Sequence, residues 1–421
     1  MRRITIVGAG QAGLQLGMGL LQQGYHTRII TDKTPESVAA GPILSTQCMF
    51  DSALATERQL GLNLWDKQCP AINQIQLTIA SPEQPEEKAL EWRGQLDNSA
   101  YSVDQRVKFP VWMTLFQQLG GQLDIHSPKI EDLEKYAQDS DLVIIASGKG
   151  ALAQHFPLNP SESPFQQPQR RLTLFYVRDP HNEPSCNTVS FNMLPGMGEY
   201  FVLPVLTTTG PCRAVMFEAI PDSPMDCFDP KGSPHHQLAK AQGFVKQHIP
   251  WEYQRIQSVE LTDSQAIRIG QFTPQMRHPV ALLPSGQPVL GLGDAVCLND
   301  PITGQGSNNA AKAANIYLKR ILSRGDQPFD PAWMEETFNA FWQEGQWVTQ
   351  WTNNMLLPPP PFILDLMAAA TKHPSLANRI ANGFNQPEDL RPLFSDELAV
   401  KKYLNQLPET DKTTSAVAKE A

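Results

Sequence analysis

The stretch Arg3-Ile4-Thr5-Ile6-Val7-Gly8-Ala9-Gly10-Gln11-Ala12-Gly13 decides the fold. Arg3 to Val7 is a short β-type run, and Leu14 to Leu21 after the glycines reads as a helix. Thr27 to Asp32 is a second strand that ends in an acid. A G-x-G-x-x-G pattern between a strand and a helix, with a carboxylate at the end of the next strand, is the dinucleotide-binding fingerprint. Gly8 permits the tight turn, Gly10 lets backbone approach a pyrophosphate, and Gly13 lets the helix pack on the strand. Ala9, Gln11 and Ala12 complete the loop. The helix N-terminus offers free N–H groups and a positive dipole end. Asp32 lies nineteen residues after Gly13, where a ribose-binding acid belongs. A glycine-rich turn that merely joins strand to helix is the plainer alternative.

Composition narrows the rest. A chain of 421 residues has room for two or three domains, and 41% hydrophobic residues are enough for a packed core. A formal net charge of −9 with interspersed signs argues against nucleic-acid binding, which needs a basic face. No apolar run reaches membrane-spanning length. The Arg2-Arg3 start resembles a signal peptide superficially, but glycines interrupt the apolar run and a nucleotide-fold strand explains it better. Six scattered cysteines without C-x-x-C read as reduced thiols of a cytoplasmic protein. The His235-His236 pair lacks a partner cluster, so no metal site is expected.

Along the chain, Gly41 to Asp51 carries Ser45, Gln47, Cys48 and Met49, and a helix follows over 53–60. Residues 71–98 read as a hairpin inserted outside the nucleotide fold. Val103-Asp104-Gln105-Arg106 leads into a helix over 111–119. Asp141 to Ala146 reads as a buried parallel strand stopping at Ser147-Gly148-Lys149-Gly150. From 151 to 265 the β-type runs 172–178, 188–192, 200–206 and 214–220 imply an antiparallel sheet domain, with a helix over 236–247. A strand over 288–294 and a small-residue helix over 307–322 follow. The last ninety or so residues are helical by pattern, broken at Pro358–Pro361, with Trp333, Trp342, Trp347 and Trp351 as packing residues. The expected division is 1–150 with 266–330 as a discontinuous nucleotide domain, 151–265 as a substrate domain, 331–405 as a helical region and 406–421 as a disordered tail.

The second informative stretch is Gly293-Asp294-Ala295-Val296-Cys297-Leu298-Asn299-Asp300-Pro301-Ile302-Thr303-Gly304-Gln305-Gly306. It resembles the G-D-x(6)-P-x-x-G-x-G motif of FAD-dependent aromatic monooxygenases. The resemblance implies an α/β fold: a Rossmann-like FAD-binding domain with an inserted, mainly antiparallel β-sheet substrate domain and C-terminal helices. It implies that Gly293 and Asp294 hold the ribityl chain and that Gly304, Gln305, Gly306, Ser307 and Asn308 lie against the ring and pyrophosphate. Arg106 matches an arginine near the FAD phosphates, and Gly148 the glycine of a D-G turn. Here Ser147 replaces that aspartate and Cys297 stands where many relatives carry histidine.

Those departures bring the chain closer to the two-component styrene and indole monooxygenases. Ser163 to Arg170, Pro195 to Glu199, Gly291 to Gly306 and Gln350 to Asn353 carry the similarity. Ser45, Gln47 and Met49 stand where the styrene branch has Asn, Val and His, and this pattern is similar to the indole branch. The resemblance implies an oxygenase component that takes reduced FAD from a separate NADH-dependent flavin reductase. It would epoxidise the 2,3 double bond of indole, or a styrene-like alkene, with O2 through a flavin hydroperoxide, indigo forming from indole outside the enzyme. It would be a homodimer. Backbone of Pro301, Ile302, Thr303 and Gly304 would flank the reacting oxygen, and Ser45, Gln47 and Met49 would shape the substrate side, Gln47 or a nearby carbonyl accepting the indole N–H. The alternatives are a single-component hydroxylase using its own NAD(P)H and a flavin-binding carrier without oxygenation.

Overall fold

The computed structural model describes residues 2–180 and 187–408. The chain opens with β1 (Arg3–Val7), α1 (Gln11–Gln22) and β2 (His26–Thr31), then α2 (Pro35–Ala39) and α3 (Asp51–Gln59). The hairpin β3 (Ile72–Ala80) and β4 (Lys88–Ala100) precedes α4 (Gln105–Gln118), β5 (Gln122–Ile125), α5 (Ile130–Asp139) and β6 (Leu142–Ile145). Next come β7 (Arg171–Arg178), β8 (Thr188–Leu194), β9 (Gly198–Thr207) and β10 (Gly210–Ala219). They are followed by α6 (Pro234–His248), α7 (Tyr253–Ile256), β11 (Glu260–Leu261) and β12 (Ile267–Gln271). The chain then returns through β13 (Gln275–Met276), β14 (Val280–Leu282), β15 (Pro288–Gly291) and β16 (Cys297–Leu298). Helices close it: α8 (Gly306–Arg324), α9 (Pro331–Met355), α10 (Pro361–Ala370), α11 (Pro374–Gly383), α12 (Arg391–Ser395) and α13 (Glu397–Leu404).

Two sheets carry the architecture. The first has the order β14-β15-β6-β1-β2-β5, parallel except for the antiparallel edge strand β14. Its inner strands are apolar on both faces, as Ile4, Ile6, Val7, Leu142, Val143, Ile144 and Ile145 are all buried, which is what a sheet covered on both sides demands. The second sheet runs β11-β7-β10-β9-β8-β3-β4, with β12 also on β7. Its pairings are antiparallel apart from β3 on β8. This is the α/β architecture expected, with a β-rich second layer.

Four boundaries differ from the sequence reading. The 71–98 hairpin is built into the second sheet, because β3 pairs in parallel register with β8. Its polar positions Gln76 and Thr78 are buried as well as Leu77 and Ile79, so β3 is an interior strand. The second sheet also recruits β12 from beyond residue 265, pairing it with β7. The first half of α9 joins the nucleotide-side core, where Trp333, Met334, Phe338 and Phe341 pack with β1 and α1 residues. Leu407, in the stretch read as a disordered tail, packs against the C-terminal helical cluster. The remainder of that tail, from residue 409, and Cys186 lie outside the described residues.

Candidate active site

The glycines of the opening fingerprint have three different reasons. Gly8 adopts φ +122°, and a Cβ there would sit 2.3 Å from the Ala146 carbonyl oxygen. Only a glycine allows β6 to come that close. A Cβ on Gly13 would sit 2.0 Å from the Gly8 carbonyl oxygen, so α1 presses on the turn itself. A Cβ on Gly10 would meet nothing within 4 Å. Gly10 is the N-cap of α1, makes no side-chain cap bond, and has no acid in the turn that follows. The first-turn N–H groups of such a helix lack intrahelical partners and face outward with a positive dipole end. Room beside Gly10 is therefore room for an anion. Ala9 is half-buried, and Asp32 is exposed at the end of β2, open to a ribose.

The second motif meets the first here. β15 pairs with β6, and the Leu292 N–H donates to the Ile145 carbonyl at 2.9 Å. Gly293, with φ +62°, has its Cβ position 3.5 Å from Cβ of Ala12. Asp294 is exposed to solvent, yet burial pushes its carboxyl up to about 6, with the Lys149 charge opposing the shift. A carboxyl that is accessible and still desolvated lies in a cleft walled by protein. Burial likewise lowers the Lys149 ammonium, which Asp294 supports, and its Nζ lies 3.8 Å from the centre of the Phe272 ring. Gly148 has φ +68°, and the Ser147 hydroxyl is buried without a partner. Lys149 was not singled out from the sequence; its place one residue after that Ser-Gly turn was the available signal.

Asp300 to Asn308 forms the floor. Asp300 caps the turn, its Oδ1 accepting from the Ile302 N–H at 3.1 Å, and the Gly304 N–H donates to the Pro301 carbonyl at 2.7 Å. Gly304 is left-handed at φ +64°. The two N–H groups of Ile302 and Gly304 are thus already engaged and Pro301 has none, which leaves Thr303 and the first turn of α8 to supply backbone donors. Thr303 and Thr352 share a hydroxyl bond at 2.7 Å. The Gln305 amide donates to the Phe384 carbonyl at 2.8 Å, while its Oε1 is buried without a partner. Gly306 and Ser307 are half-buried at the start of α8.

Several expected contacts are spoken for by the protein. Asn308 is a clamp: its amide donates to the Cys48 carbonyl at 2.8 Å and the Gly304 carbonyl at 3.0 Å, and its Oδ1 accepts from the Phe50 N–H at 2.9 Å. Arg106, expected near the phosphates, is 3% exposed. Its guanidinium bonds Asp263 through two contacts of 3.1 Å and Asp104 at 2.9 Å, so it ties α4 to the second sheet. The Gln11 side chain points inward, donating to Gln15 at 3.0 Å and Glu57 at 2.9 Å. Glu57 in turn accepts from the buried Lys108 at 2.5 Å. Gln47 joins this web, its amide 3.4 Å from Gln11 Oε1 and its own Oε1 unpartnered. Met49 is 1% exposed in a cluster with Ala53, Leu54 and Ala311. Of the three loop residues expected to shape the substrate side, Ser45 alone is exposed; Gln47 reaches Gln11 of α1 and Met49 packs with Ala53 and Leu54 of α3.

The open space for an apolar molecule lies elsewhere. A cavity of ≈ 350 Å³ sits between the β3–β8 face of the second sheet and helices α9 to α12. Leu77, Ile79, Trp92, Phe191, Met193, Trp351, Phe362 and Phe384 line it, and Pro358, Pro359 and Pro360 form part of its wall. Asn354 and Ser395 are exposed and belong to the rim, while the indole N–H groups of Trp92 and Trp351 are buried without a partner. Ile302 of the motif turn packs in the same apolar cluster as Leu77, Trp92 and Phe191, which line the cavity. Sequence reading took Pro358–Pro361 for a mere helix break. Its exposed neighbours Leu357 and Leu364 were a signal that this break borders something apolar.

The comparisons agree with this geometry. Residues 148–255 match the family model described as the styrene monooxygenase A putative substrate binding domain. The chain is 28% identical over 422 residues to styrene monooxygenase StyA of Pseudomonas fluorescens, spanning 97% of this chain and 99% of the relative. A StyA from Pseudomonas sp. matches to the same extent. Among solved structures, a flavoprotein/dehydrogenase from Cytophaga hutchinsonii superposes with a TM-score of 0.70 at 13% identity, over 96% of this chain and 99% of that one. The flavin-dependent brominase Bmp2 gives 0.64 at 12% identity over 96% and 98%. The 2-methyl-3-hydroxypyridine-5-carboxylic acid oxygenase gives 0.57 at 15% identity over 94% and 97%. The fold is that of flavin-dependent hydroxylases and halogenases, and the sequence is StyA-like from end to end.

Proposed function

We propose that this StyA-like chain is the oxygenase component of a two-component flavin monooxygenase that epoxidises an apolar aryl alkene. The observation that carries the reading is the close approach of Gly293 to Ala12 of the Gly8–Gly13 loop, with an apolar cavity whose wall residues Leu77, Trp92 and Phe191 pack in one cluster with Ile302 of the 300–304 turn. The cleft fits a flavin dinucleotide on two counts: the space beside Gly10, and a carboxyl at Asp294 that is accessible while desolvated. The first turn of α1 and Asp32 would hold its adenosine-phosphate half, Asp294 the ribityl hydroxyls, and the 303–307 backbone the ring edge. Reduced FAD, when bound, supplies the electrons that activate O2. The protein's part is to hold the alkene in the cavity, keep water out with Trp92, Phe191 and Phe384, and orient the double bond toward Ile302 and Gly304.

Two features favour delivery of FAD already reduced. Ser147 stands in place of the aspartate expected at the end of β6, and Arg106 is held by two carboxylates. NADH would then serve a partner reductase. The cavity wall is apolar apart from the unpartnered indole N–H groups of Trp92 and Trp351, donors that a substrate N–H could not satisfy, which favours a styrene-like alkene. Indole is the second reading, supported by the Ser45, Gln47 and Met49 pattern that is similar to the indole branch. The test combines the purified chain, FAD, an NADH-dependent flavin reductase and either styrene or indole. Epoxide from styrene, dependent on the reductase, supports the proposal. Coloured product from indole at a higher rate would shift it to the indole branch. NADH oxidation by the chain alone would replace it with a single-component hydroxylase, and peroxide without oxygenated product would overturn it. In the triple variant Ser45→Asn, Gln47→Val, Met49→His, the styrene-to-indole ratio rises; an unchanged ratio removes the loop from specificity.

A further inference from the structure

Beside the 300–304 turn lies a charge arrangement that binding a flavin or an alkene does not need. Glu199 on β9 and Glu218 on β10 are cross-strand register partners, and both are buried. Like charges placed opposite on adjacent strands destabilise a sheet. Arg170 answers one of them: its Nε donates to Glu199 Oε2 at 2.7 Å and its Nη2 to Glu199 Oε1 at 2.9 Å. Glu218, 1% exposed, has both carboxyl oxygens without a hydrogen-bond partner. The third acid is Asp300, 2% exposed, whose Oδ1 caps the Ile302 N–H. Three buried carboxyls thus share one guanidinium, and an uncompensated buried charge is costly enough that a proton is taken up instead. The sheet would tolerate glutamine or an apolar residue at 218 more cheaply; such an excess of acid beside a ligand cleft marks function.

We propose that Asp300, in company with Glu218, acts as a protonation switch beside the flavin turn: with its proton on, the site accepts a negatively charged reduced ring, and with its proton off, it repels one. The inference rests on the flavin reading above. The charged groups acting on Asp300 are Arg170 ahead of β7, Glu199 on β9 and Glu218 on β10. α9 packs against the 301–303 turn, and the Leu356 carbonyl at its end accepts from Arg170 at 3.5 Å. Burial pushes Asp300 up to about 7, with its bond to Ile302 and the Arg170 charge opposing and Glu199 adding to the rise. Burial, then Asp300 and Glu199, hold Glu218 well above the usual carboxylate range. Asp300 has a hydrogen bond that favours its charged form, from the Ile302 N–H, and neither Glu218 oxygen has one, so the charge that appears as pH rises falls on Asp300 and the proton stays on Glu218. Oxidised flavin has a neutral ring and reduced flavin can lose a proton to become an anion, so the switch acts on the form that a reductase delivers.

The experiment titrates the protein anaerobically with chemically reduced FAD, and separately with oxidised FAD, from pH 6 to 8.5. Wild type is compared with Asp300→Asn, which keeps a cap for the Ile302 N–H, and with Glu218→Gln, which mimics the retained acid. Relative to Asp300→Asn, wild type should bind reduced FAD equally at pH 6 and about tenfold more weakly at pH 8.5, the scale for two like charges roughly 10 Å apart at an effective dielectric of about 20. Oxidised FAD should show little of this difference, and Glu218→Gln should follow wild type. Parallel curves for wild type and Asp300→Asn, or a Glu218→Gln curve as flat as that of Asp300→Asn, overturn the switch. Failure of wild type to bind FAD in either form overturns the flavin reading instead. Infrared difference spectra of the flavin-free protein give an independent check: a protonated carboxyl band lost between pH 6 and 8 in wild type and Glu218→Gln and missing from Asp300→Asn. A wild-type spectrum without that loss also refutes the assignment.

Discussion

Replacing Gly10 and Gly13 separately by alanine distinguishes a ligand cradle from a mere turn. At Gly10 the backbone has φ −94° and ψ −168°, which alanine adopts freely, and the new methyl group meets no atom within 4 Å. Alanine is a poorer N-cap than glycine by a few tenths of a kcal/mol or more. Its smaller loss of unfolded-chain entropy returns about 0.4–1 kcal/mol. The stability of Gly10→Ala should therefore stay within about 0.5 kcal/mol of wild type. The methyl group would, however, stand where a pyrophosphate approaches the helix. Loss of one charged hydrogen bond costs about 1.5–3 kcal/mol, so the FAD dissociation constant should rise by about 10- to 150-fold. At Gly13 the methyl would press to 2.0 Å from the Gly8 carbonyl oxygen, and backbone on both sides must yield. Overpacking of this kind costs about 1–3 kcal/mol, partly offset by about 1 kcal/mol of helix propensity. Gly13→Ala should lower the melting temperature and weaken FAD together. Thermal melts of the flavin-free protein and FAD titrations followed by flavin fluorescence make the comparison. A Gly10→Ala protein that binds FAD like wild type, or melts as early as Gly13→Ala, would refute the assignment of this loop to a phosphate.

Three further outcomes follow from the buried charges and the cavity. Asp300 titrates near 7 in the fold against an ordinary value of 3.8, so the folded state binds the extra proton. The stability this contributes is present below about pH 4 and is lost as pH rises to about 7. Asp300→Asn should escape that loss and exceed wild type at pH 8 by an amount on the order of a few kcal/mol, measured by denaturant unfolding across the pH range. Lys108→Met leaves Glu57, 1% exposed, without its ammonium partner; it should cost about 3–5 kcal/mol, and a loss under 1 kcal/mol in the same assay would show that Gln11 alone suffices. Ile79→Trp fills part of the cavity and should raise KM for styrene about tenfold or more while leaving FAD affinity unchanged; an unaltered KM would put the alkene elsewhere.

What the sequence made legible was local in the chain. The opening βαβ unit and the 293–306 turn each carry their chemistry within a few dozen residues, so glycine spacing and apolar runs were enough to read both. The pairing of Arg106 with Asp263 was not legible because that bidentate partner lies 157 positions away, and nothing near residue 106 announces it. Gln47 and Met49 sit on a loop whose facing could not be read before its pairing to Tyr101 was known. The cavity needs β3, β8 and helices α9 to α12 at once, and no periodicity within any of them encodes it. Glu218 did leave a trace, an acid inside the apolar run Ala214 to Ile220.

The parallel pairing of β3 with β8 sets a constraint on how the molecule is made. The hairpin β3–β4 leaves the ribosome well before its partner, since about a hundred residues separate Ala80 from Thr188. Through that interval β3 presents an apolar edge of unpaired backbone, the kind of surface on which chains aggregate. Its other cover, the α11 helix that lies against Gly94 so closely that a Cβ would come within 2.2 Å of the Ala377 carbonyl, is later still. Neither sheet can therefore be completed by a truncated chain, and an N-terminal fragment carrying the whole dinucleotide fingerprint would still carry a hairpin whose neighbours had not been synthesised. Heterologous yield should depend on synthesis rate, temperature and chaperone supply more steeply than the final stability does.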